Sequence, residues 1–590
     1  MFSNLFFEID MKKYLKTPEF ITAICFLVFL ALGISSNISV KNVNFVQDGK
    51  KENVSLPFGR DIEINKPFDM EFDIVSPYNF SYNMWIIPDD CADKVAVGDN
   101  VIDLSKFKDN CSFSKGFLLP DSVIAPYRQS ETTHYVMTLR NMGGPGGFMF
   151  FVKMNSVVGY AINVLAFISL ALFFAFVARR LRLGKTLIAL LVIGILFRCV
   201  FFMAMPYKKF SMDVEGHIEY LQYVVENHSV PGDQDCWSCY HPPVYYVAAS
   251  PFYVLSEFLG LPGTTGLQSF SLLLSVLTAF FGVLFLRKIL EGRPLILASS
   301  LWIFWPLMIM VTPRIGNDTL FYLMHVLCMW AGINYVKEGR GNYLLASVLT
   351  SALALWTKST GVVSVAFAFI FAVSGFFANK RLHKPSKTEI VSWVAFVVVF
   401  VTFVVHRSRG GELVANANAL NSAMRVPNFA FNYLYFDLRN FLEYPFTSGW
   451  DSAMGRDFFW NFMLKSSMFG EWSMLPTANG RFWATMMSVF LLGLIVYAIR
   501  GFWKTRLGLV HWILLLQGAA FIAALMALRI KYPFACSNDF RYILPILLSF
   551  APFVAMGVTL KDASTSWKVC GYITVAAFIV SSAVLYIMVM

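Results

Sequence analysis

The chain has 590 residues, of which 57% are hydrophobic and only 14% charged, with a formal net charge of +11. A soluble domain carries roughly 25% charged residues, so this composition excludes an ordinary soluble protein. The surplus Lys and Arg sit in short clusters between apolar runs, which excludes a nucleic-acid surface and reads as cytosolic anchoring under the positive-inside rule.

Apolar runs of about 18 or more residues recur, each long enough to cross a hydrocarbon core roughly 30 Å thick. The first covers about 18–36. It follows Lys12, Lys13 and Lys16 and has no small-residue cleavage site, so residues 1–36 read as an uncleaved anchor with a cytosolic amino end. Residues 37–153 change composition. Phe68, Met70, Phe72 and Ile74 alternate with Asp69, Glu71 and Asp73, and Tyr135, Met137 and Leu139 are spaced the same way. Period-two alternation between turn-forming prolines and glycines predicts half-buried strands, hence an inserted β-sandwich on the outer face. Tyr78, Tyr82 and Trp85 are either a carbohydrate-stacking patch or ordinary packing. Cys91 and Cys111 in this insert, and Cys236 and Cys239 further on, form candidate disulfides if they face an oxidising compartment.

Residues 154–185 form a second span and a basic cytosolic loop. A third span, about 186–205, delivers the most polar stretch of the membrane part, Ser211 to Tyr246. Asp213, Glu215, His217 and Glu219 crowd its start, followed by a predicted amphipathic surface helix over about 214–227. The next apolar piece, 242–259, is not counted as a span. If it crossed, Arg287, Lys288 and Arg293 would fall outside, and Pro242, Pro243 and Pro251 interrupt it. It reads as interfacial. Ten further helices follow at about 266–286, 294–311, 319–336, 343–356, 361–378, 389–405, 483–499, 507–528, 542–559 and 569–589. The total is roughly thirteen spans. The basic loop of Lys380, Arg381, Lys384 and Lys387 lies inside. The large outer loops are 206–262 and 406–481.

In this topology Asp213, His241, Asp318, Lys358, Asp539 and Arg541 come from four connections that all open outward. Ionisable groups at membrane depth are functional candidates. Their chemistry suits transfer of a sugar from a phosphate leaving group. The acceptor needs a general base, Asp213 or alternatively Glu215. The leaving phosphate needs cations, and Lys358, Arg541, Arg529 and Lys531 lie on the outer face against the positive-inside rule. Other readings stand beside these. Asp213 and Asp318 each precede a helix and suit an N-cap. His241 suits a turn, His217 a structural pairing with a carboxylate, Lys358 a snorkelling side chain, and Asp539 with Arg541 a structural pair. The CWSC at 236–239 lacks the βαβ surroundings of a redox motif and reads as a loop staple. Asp213, Asp318 and His241 are candidate ligands for a divalent metal.

These residues resemble the C-type glycosyltransferase superfamily (GT-C), in the branch of protein O-mannosyltransferases and aminoarabinose transferases. SMDVEGHIEY at 211–220 is similar to that group's acidic motif after a transmembrane helix, with Asp213 at the catalytic acid. YHPPVYY at 240–246 matches its polar residue, Pro-Pro and aromatics, with His241 where Lys or Gln is frequent, and His241 and Tyr245 read as contacts of the donor phosphate or lipid. RIGNDTLFY supplies the second outer Asp, Asp318. LALWTKSTG resembles the short helix ending in Thr-Lys-Gly, although Ser359 and Thr360 intervene. Arg541, Tyr542 and Pro545 match a late Arg-Tyr before a Pro-containing helix. The similarity spans about 186–560, so 186–590 reads as a GT-C-like core. Asp-Val-Glu replaces Asp-Glu, and the usual soluble C-terminal domain is absent.

The resemblance implies a polyprenyl-phosphate sugar donor and inversion at the anomeric carbon, with Asp213 deprotonating a glycan, lipid or protein acceptor. It also implies a site on the periplasmic face, which suits a bacterial inner membrane. The competing reading is a transporter or flippase of an anionic lipid, whose inverted repeats and midplane charges are not evident here. A third is an assembly scaffold whose β domain binds a partner.

Overall fold

The computed structural model describes residues 17–590 except 36–37, 57, 112–115, 129, 144–145, 155–156, 211–212, 233–234, 379–384 and 410–423. Lys12, Lys13, Lys16, Lys380, Arg381, Lys384 and part of the 406–481 loop therefore lie outside the described residues. The chain divides into two compact units, residues 1–177 with 259–261, and residues 178–258 with 262–590.

The first unit begins with the apolar helix Pro18–Ser35 and continues into ten strands. A six-stranded sheet has the order β2-β1-β4-β9-β6-β7, built from Lys50–Asn53, Ser39–Gln47, Pro67–Val75, Thr132–Arg140, Cys91–Val97 and Asn100–Asp103. A four-stranded sheet has the order β3-β10-β5-β8, from Phe58–Arg60, Gly146–Met154, Tyr82–Ile87 and Phe117–Leu119. The alternation in β4 buries Phe68, Met70, Phe72 and Ile74. Its antiparallel register with β9 sets Phe72 opposite Tyr135, their rings stacked at 5.4 Å. Met84, Ile86, Phe148 and Phe150 from the other sheet complete one core. The same period-two rule sets Tyr82 and Trp85 on opposite faces of β5, and Tyr78 lies in the 3-10 turn Pro77–Asn79 before it. Tyr82 points inward and its hydroxyl pairs with that of Tyr135 at 2.6 Å, whereas Tyr78 and Trp85 are exposed. Cys91 and Cys111 are disulfide-bonded within this unit.

The second unit is helical. Across the described residues, nine helices are long and apolar enough to cross a membrane, and the chain is a multi-pass membrane protein. Pro18–Gly33, Gly292–Phe304 and Ser359–Gly375 are shorter apolar helices. Two expected spans are not continuous α-helices. Gly292–Phe304 stops at Trp305 and restarts as Pro306–Met310. Pro306 lacks an N–H and forces the preceding residue out of helical geometry. The break exposes the Ile303 carbonyl, and buried Arg198 donates to it at 2.9 Å while also donating to Ser275 Oγ and Gly194 O. The late helix begins as a 3-10 segment, Phe540–Ile546, before Leu547–Val558. The piece 242–259 forms the 15-residue helix Val244–Phe258 with Pro251 inside, too short to count among the nine.

Candidate functional site

The site is built from the ends of helices and the turns beside them. Asp213 precedes the helix Val214–Asn227 in left-handed geometry, with φ 56° and ψ 20°. Its side chain makes no capping hydrogen bond. Asp318 is the first residue of Asp318–Glu338, and no side chain caps that helix either. Neither aspartate takes the cap role that its sequence position allows. Both turn to the same cation instead.

That cation is Arg541, buried in the 3-10 segment. Its Nη2 lies 3.6 Å from Asp213 Oδ2, its Nη1 3.8 Å from Asp318 Oδ2, and its Nε 3.4 Å from Asp539 Oδ2. Asp318 Oδ1 is paired more tightly with Lys358 Nζ. Lys358 also sits 4.5 Å over the Tyr542 ring, a cation–π contact. Asp539 holds the segment itself, because its Oδ1 accepts from the Arg541 N–H at 3.0 Å. The three carboxylates differ in access. The Asp213 side chain is 37% exposed, against 14% for Asp318 and 1% for Asp539.

The scaffold behind these groups is specific. Tyr322 donates to the Arg541 carbonyl at 2.6 Å. Phe540 N–H donates to Ser466 Oγ, and Asn538 donates to the Phe459 carbonyl. The turn before Asp318 is held by Gln268 and Ser271, which donate to the carbonyls of Pro313 and Arg314. Tyr245 is fully buried, and its hydroxyl accepts from Gly316 N–H at 3.0 Å. Tyr245 therefore pins this turn, where the sequence reading gave it to the donor phosphate.

His241 stacks on His217, with ring centroids 5.4 Å apart, and lies against the tilted ring of Tyr240 at 4.2 Å. His217 shares a 2.7 Å hydrogen bond with the Tyr246 hydroxyl. The expected pairing of His217 with a carboxylate is not made, because its ring is buried beneath Tyr246. Burial drives the imidazole of His217 down to about 4 despite the nearby Asp213 and Asp318 carboxylates. Burial, and next the neighbouring His217, push His241 well below its usual value. Both are neutral at pH 7. Cys236 and Cys239 are disulfide-bonded. Their turn packs onto the start of the helix, where a Cβ at Gly216 would fall 2.3 Å from Ser238 Oγ and 2.5 Å from Trp237 Cε3.

Some candidate residues stand elsewhere. The Glu215 side chain is 71% exposed and faces Lys208 at 3.4 Å, away from Arg541. One turn of helix cannot aim residues 213 and 215 at the same point. Arg529 is buried, and its Nη2 donates to the carbonyls of Pro427 and Asp457. It braces an outer loop and is not one of the groups around Asp318. Lys531 lies over the Tyr532 ring. No three His, Cys, Asp or Glu side chains among the described residues stand close enough together to hold a metal ion.

Two groups join the site that sequence reasoning did not single out. Arg314 is buried beside His217, Gly316, Asp318, Thr319 and Arg541 around a cavity of about 10 Å³, room for a single water. Its signal was present as one more outward-facing cation. Glu471, buried in the long outer loop, lies within electrostatic reach of Asp539, Arg541, Asp213 and Arg314. No motif marks it. Beside the charged cluster is an apolar chamber of about 540 Å³. Phe540, Trp305, Trp460, Leu491, Ile522 and Phe550 are among its walls.

A family profile described as dolichyl-phosphate-mannose-protein mannosyltransferase matches residues 240–406. The match takes in His241, Tyr245, Asp318 and Lys358, and leaves out Asp213, Asp539 and Arg541. No curated protein matches the sequence. Three solved structures show a distant likeness. The apo oligosaccharyltransferase of Archaeoglobus fulgidus is 12% identical, with a TM-score of 0.39 over 68% of this chain and 56% of that one. The oligosaccharyltransferase AglB of the same organism, in complex with an inhibitory peptide and a dolichol-phosphate, is 11% identical, with a TM-score of 0.35 over 68% and 55%. Arabinosyltransferase EmbB from Mycobacterium smegmatis is 11% identical, with a TM-score of 0.31 over 95% and 65%. The chain thus spans about 56% of the length of the first of these. By its family match, the chain resembles the C-type glycosyltransferase superfamily, in the mannosyltransferase branch that residues 240–406 match.

Proposed function

We propose that the protein is an integral-membrane glycosyltransferase. It moves a sugar from a polyprenyl-phosphate donor to an envelope glycan, lipid or protein acceptor on the outer face of a bacterial inner membrane. The observation that carries this reading is the loose engagement of Arg541. Its three carboxylate partners lie at 3.4 to 3.8 Å, beyond good hydrogen-bond length. Apart from the Nη2 bond to the Tyr542 hydroxyl at 3.1 Å, the buried guanidinium has donors available for a phosphate oxygen, and Arg suits bidentate phosphate contact.

The roles then divide by access. Asp213, the most exposed of the three carboxylates, faces an incoming acceptor and takes the proton from its hydroxyl or amine. The acceptor atom attacks the anomeric carbon from the side opposite the phosphate, and the bond from that carbon to the phosphate oxygen breaks with inversion. Arg541 and Lys358 stabilise the departing lipid phosphate. Asp318 and Asp539 keep these two cations in place. Phe540 directly precedes Arg541 and lines the 540 Å³ apolar chamber, so a lipid whose phosphate meets Arg541 has an apolar channel for the first part of its isoprenoid chain.

The test uses purified protein, lipid-linked sugars and Asp213→Asn. Loss of transfer by about two to four orders of magnitude, with donor binding retained, supports the assignment. Unchanged transfer removes Asp213 as the base. No transfer by the wild type from any donor, together with lipid movement in liposomes, favours a flippase.

A further inference from the structure

Five buried polar atoms near Arg541 have no hydrogen-bond partner among the described residues. They are Asn317 Nδ2, Glu471 Oε1, Trp472 Nε1, Asp539 Oδ2 and Arg541 Nε. Orphaned buried polar atoms are costly and rare in native proteins; Asp539 Oδ2 and Arg541 Nε face each other as an ion pair beyond hydrogen-bond length, and Asn317 Nδ2, Glu471 Oε1 and Trp472 Nε1 call for an occupant. Asp539 and Arg541 are within 3.4 Å of each other, and Asn317 adjoins Asp318. Glu471 is in reach of both sides of this group. Trp472 rests 6.4 Å from the ring of Phe210, three positions before Asp213.

The backbone is built to send Glu471 inward. The helix Phe459–Phe469 ends at Gly470, whose φ of 60° and ψ of −149° belong to a region open essentially to glycine alone. A Cβ there would also fall 2.6 Å from Met310 Cε. The chain therefore turns sharply and buries the next side chain, which is only 8% exposed. Burial, and next the Asp539 charge, raise the Glu471 carboxyl to about 8. A neutral carboxyl both donates and accepts hydrogen bonds. The orphaned set is mixed: indole N–H, amide N–H₂ and guanidinium N–H donate, and carboxyl oxygens accept. That is the complement of a polyhydroxylated ligand, whose every hydroxyl also donates and accepts.

We infer that Glu471, with Trp472 and Asn317, binds hydroxyls of the sugar carried by the lipid donor and so sets which sugar is accepted. The inference rests on the glycosyl-transfer reading above and adds the pocket for the transferred group. Asp213 handles the acceptor and Arg541 the phosphate, while the Glu471 turn grips the part of the donor between them.

Binding of three probes to the full chain in lipid nanodiscs tests this: dolichyl phosphate, dolichyl-phosphate mannose and dolichyl-phosphate glucose. The wild type is expected to bind one of the sugar-bearing lipids about tenfold more tightly than bare dolichyl phosphate. Glu471→Ala is expected to abolish that preference while leaving bare-lipid affinity within about twofold. Glu471→Gln, which keeps shape and hydrogen-bonding capacity, is expected to retain most of it, and Trp472→Phe, which keeps the ring but loses the N–H, to lose part. A matching thermal midpoint for Glu471→Gln and wild type shows that the fold survives there. The inference is overturned if Glu471→Ala keeps the full wild-type preference, or if the wild type binds all three lipids equally. Binding of none of the three removes the donor reading itself, and the sugar pocket with it.

Discussion

The guanidinium of Arg541 lies 3.6 Å from the carboxylate of Asp213, although the two residues are separated by more than half the chain. Neither residue satisfies the other. The distance leaves both charged groups open to a third party, and Arg541 reaches Asp318 and Asp539 at the same time. Arg541→Lys keeps the charge and loses the planar fork. We expect donor affinity to fall at least about tenfold, read as direct binding of a polyprenyl-phosphate sugar. Unchanged affinity would place the phosphate elsewhere.

In the pair of Lys358 with Asp318 the lysine is buried and the carboxylate is only 14% exposed. Removing one member leaves a buried charge with Arg541 as a distant partner. Lys358→Met should therefore cost about 3–5 kcal/mol of stability. The double variant Lys358→Met with Asp318→Asn should cost clearly less, because no charge is stranded. Thermal and denaturant unfolding of both variants in detergent checks this, and equal losses would contradict it.

Glu215 offers the opposite expectation. It is exposed and faces Lys208 on the surface. Glu215→Gln should change stability by less than about 1 kcal/mol and leave sugar transfer within about twofold. A large loss of transfer would reinstate Glu215 as the base.

Acid should weaken the fold through His217. Its folded value, about 4, lies below the ordinary 6.5 because the ring is buried. Between those values the unfolded chain binds more protons than the folded one, so stability rises with pH. The contribution is full above about 6.5 and is lost as pH falls toward 4, the loss reaching about 2 kcal/mol by pH 5. Thermal midpoints at pH 7.5 and pH 5 should differ by less in His217→Gln than in wild type. Burial shifts His241 the same way, so it adds to the loss in the same direction.

Much of this was legible before any tertiary structure. Hydropathy places the helices, since backbone groups in a membrane must be satisfied within each segment. The positive-inside rule excludes 242–259 as a span, and the structure makes it a 15-residue helix. Period-two alternation finds β4 and β9 and their buried faces. The sequence reading puts Asp213, Asp318, Lys358, Asp539 and Arg541 at helix ends expected on one side, and in the structure these side chains surround one another.

What sidedness leaves open is distance and direction on that face. Arg529 and Arg541 are both outward cations, yet loop carbonyls take Arg529 while carboxylates surround Arg541. Asp213 and Glu215 are two residues apart, yet one faces Arg541 and the other Lys208. Tyr245 reads as a ligand contact and is spent on Gly316. Glu471 lies in a loop with no periodicity to read, and only the glycine turn before it and the charges around it reveal its place. The sequence by itself determined which segments are apolar helices and which are strands, because hydrophobic period is a local property. Only the tertiary structure decided which outward groups meet, because pairing depends on helix rotation and loop path, and those are set by packing between segments far apart in the chain.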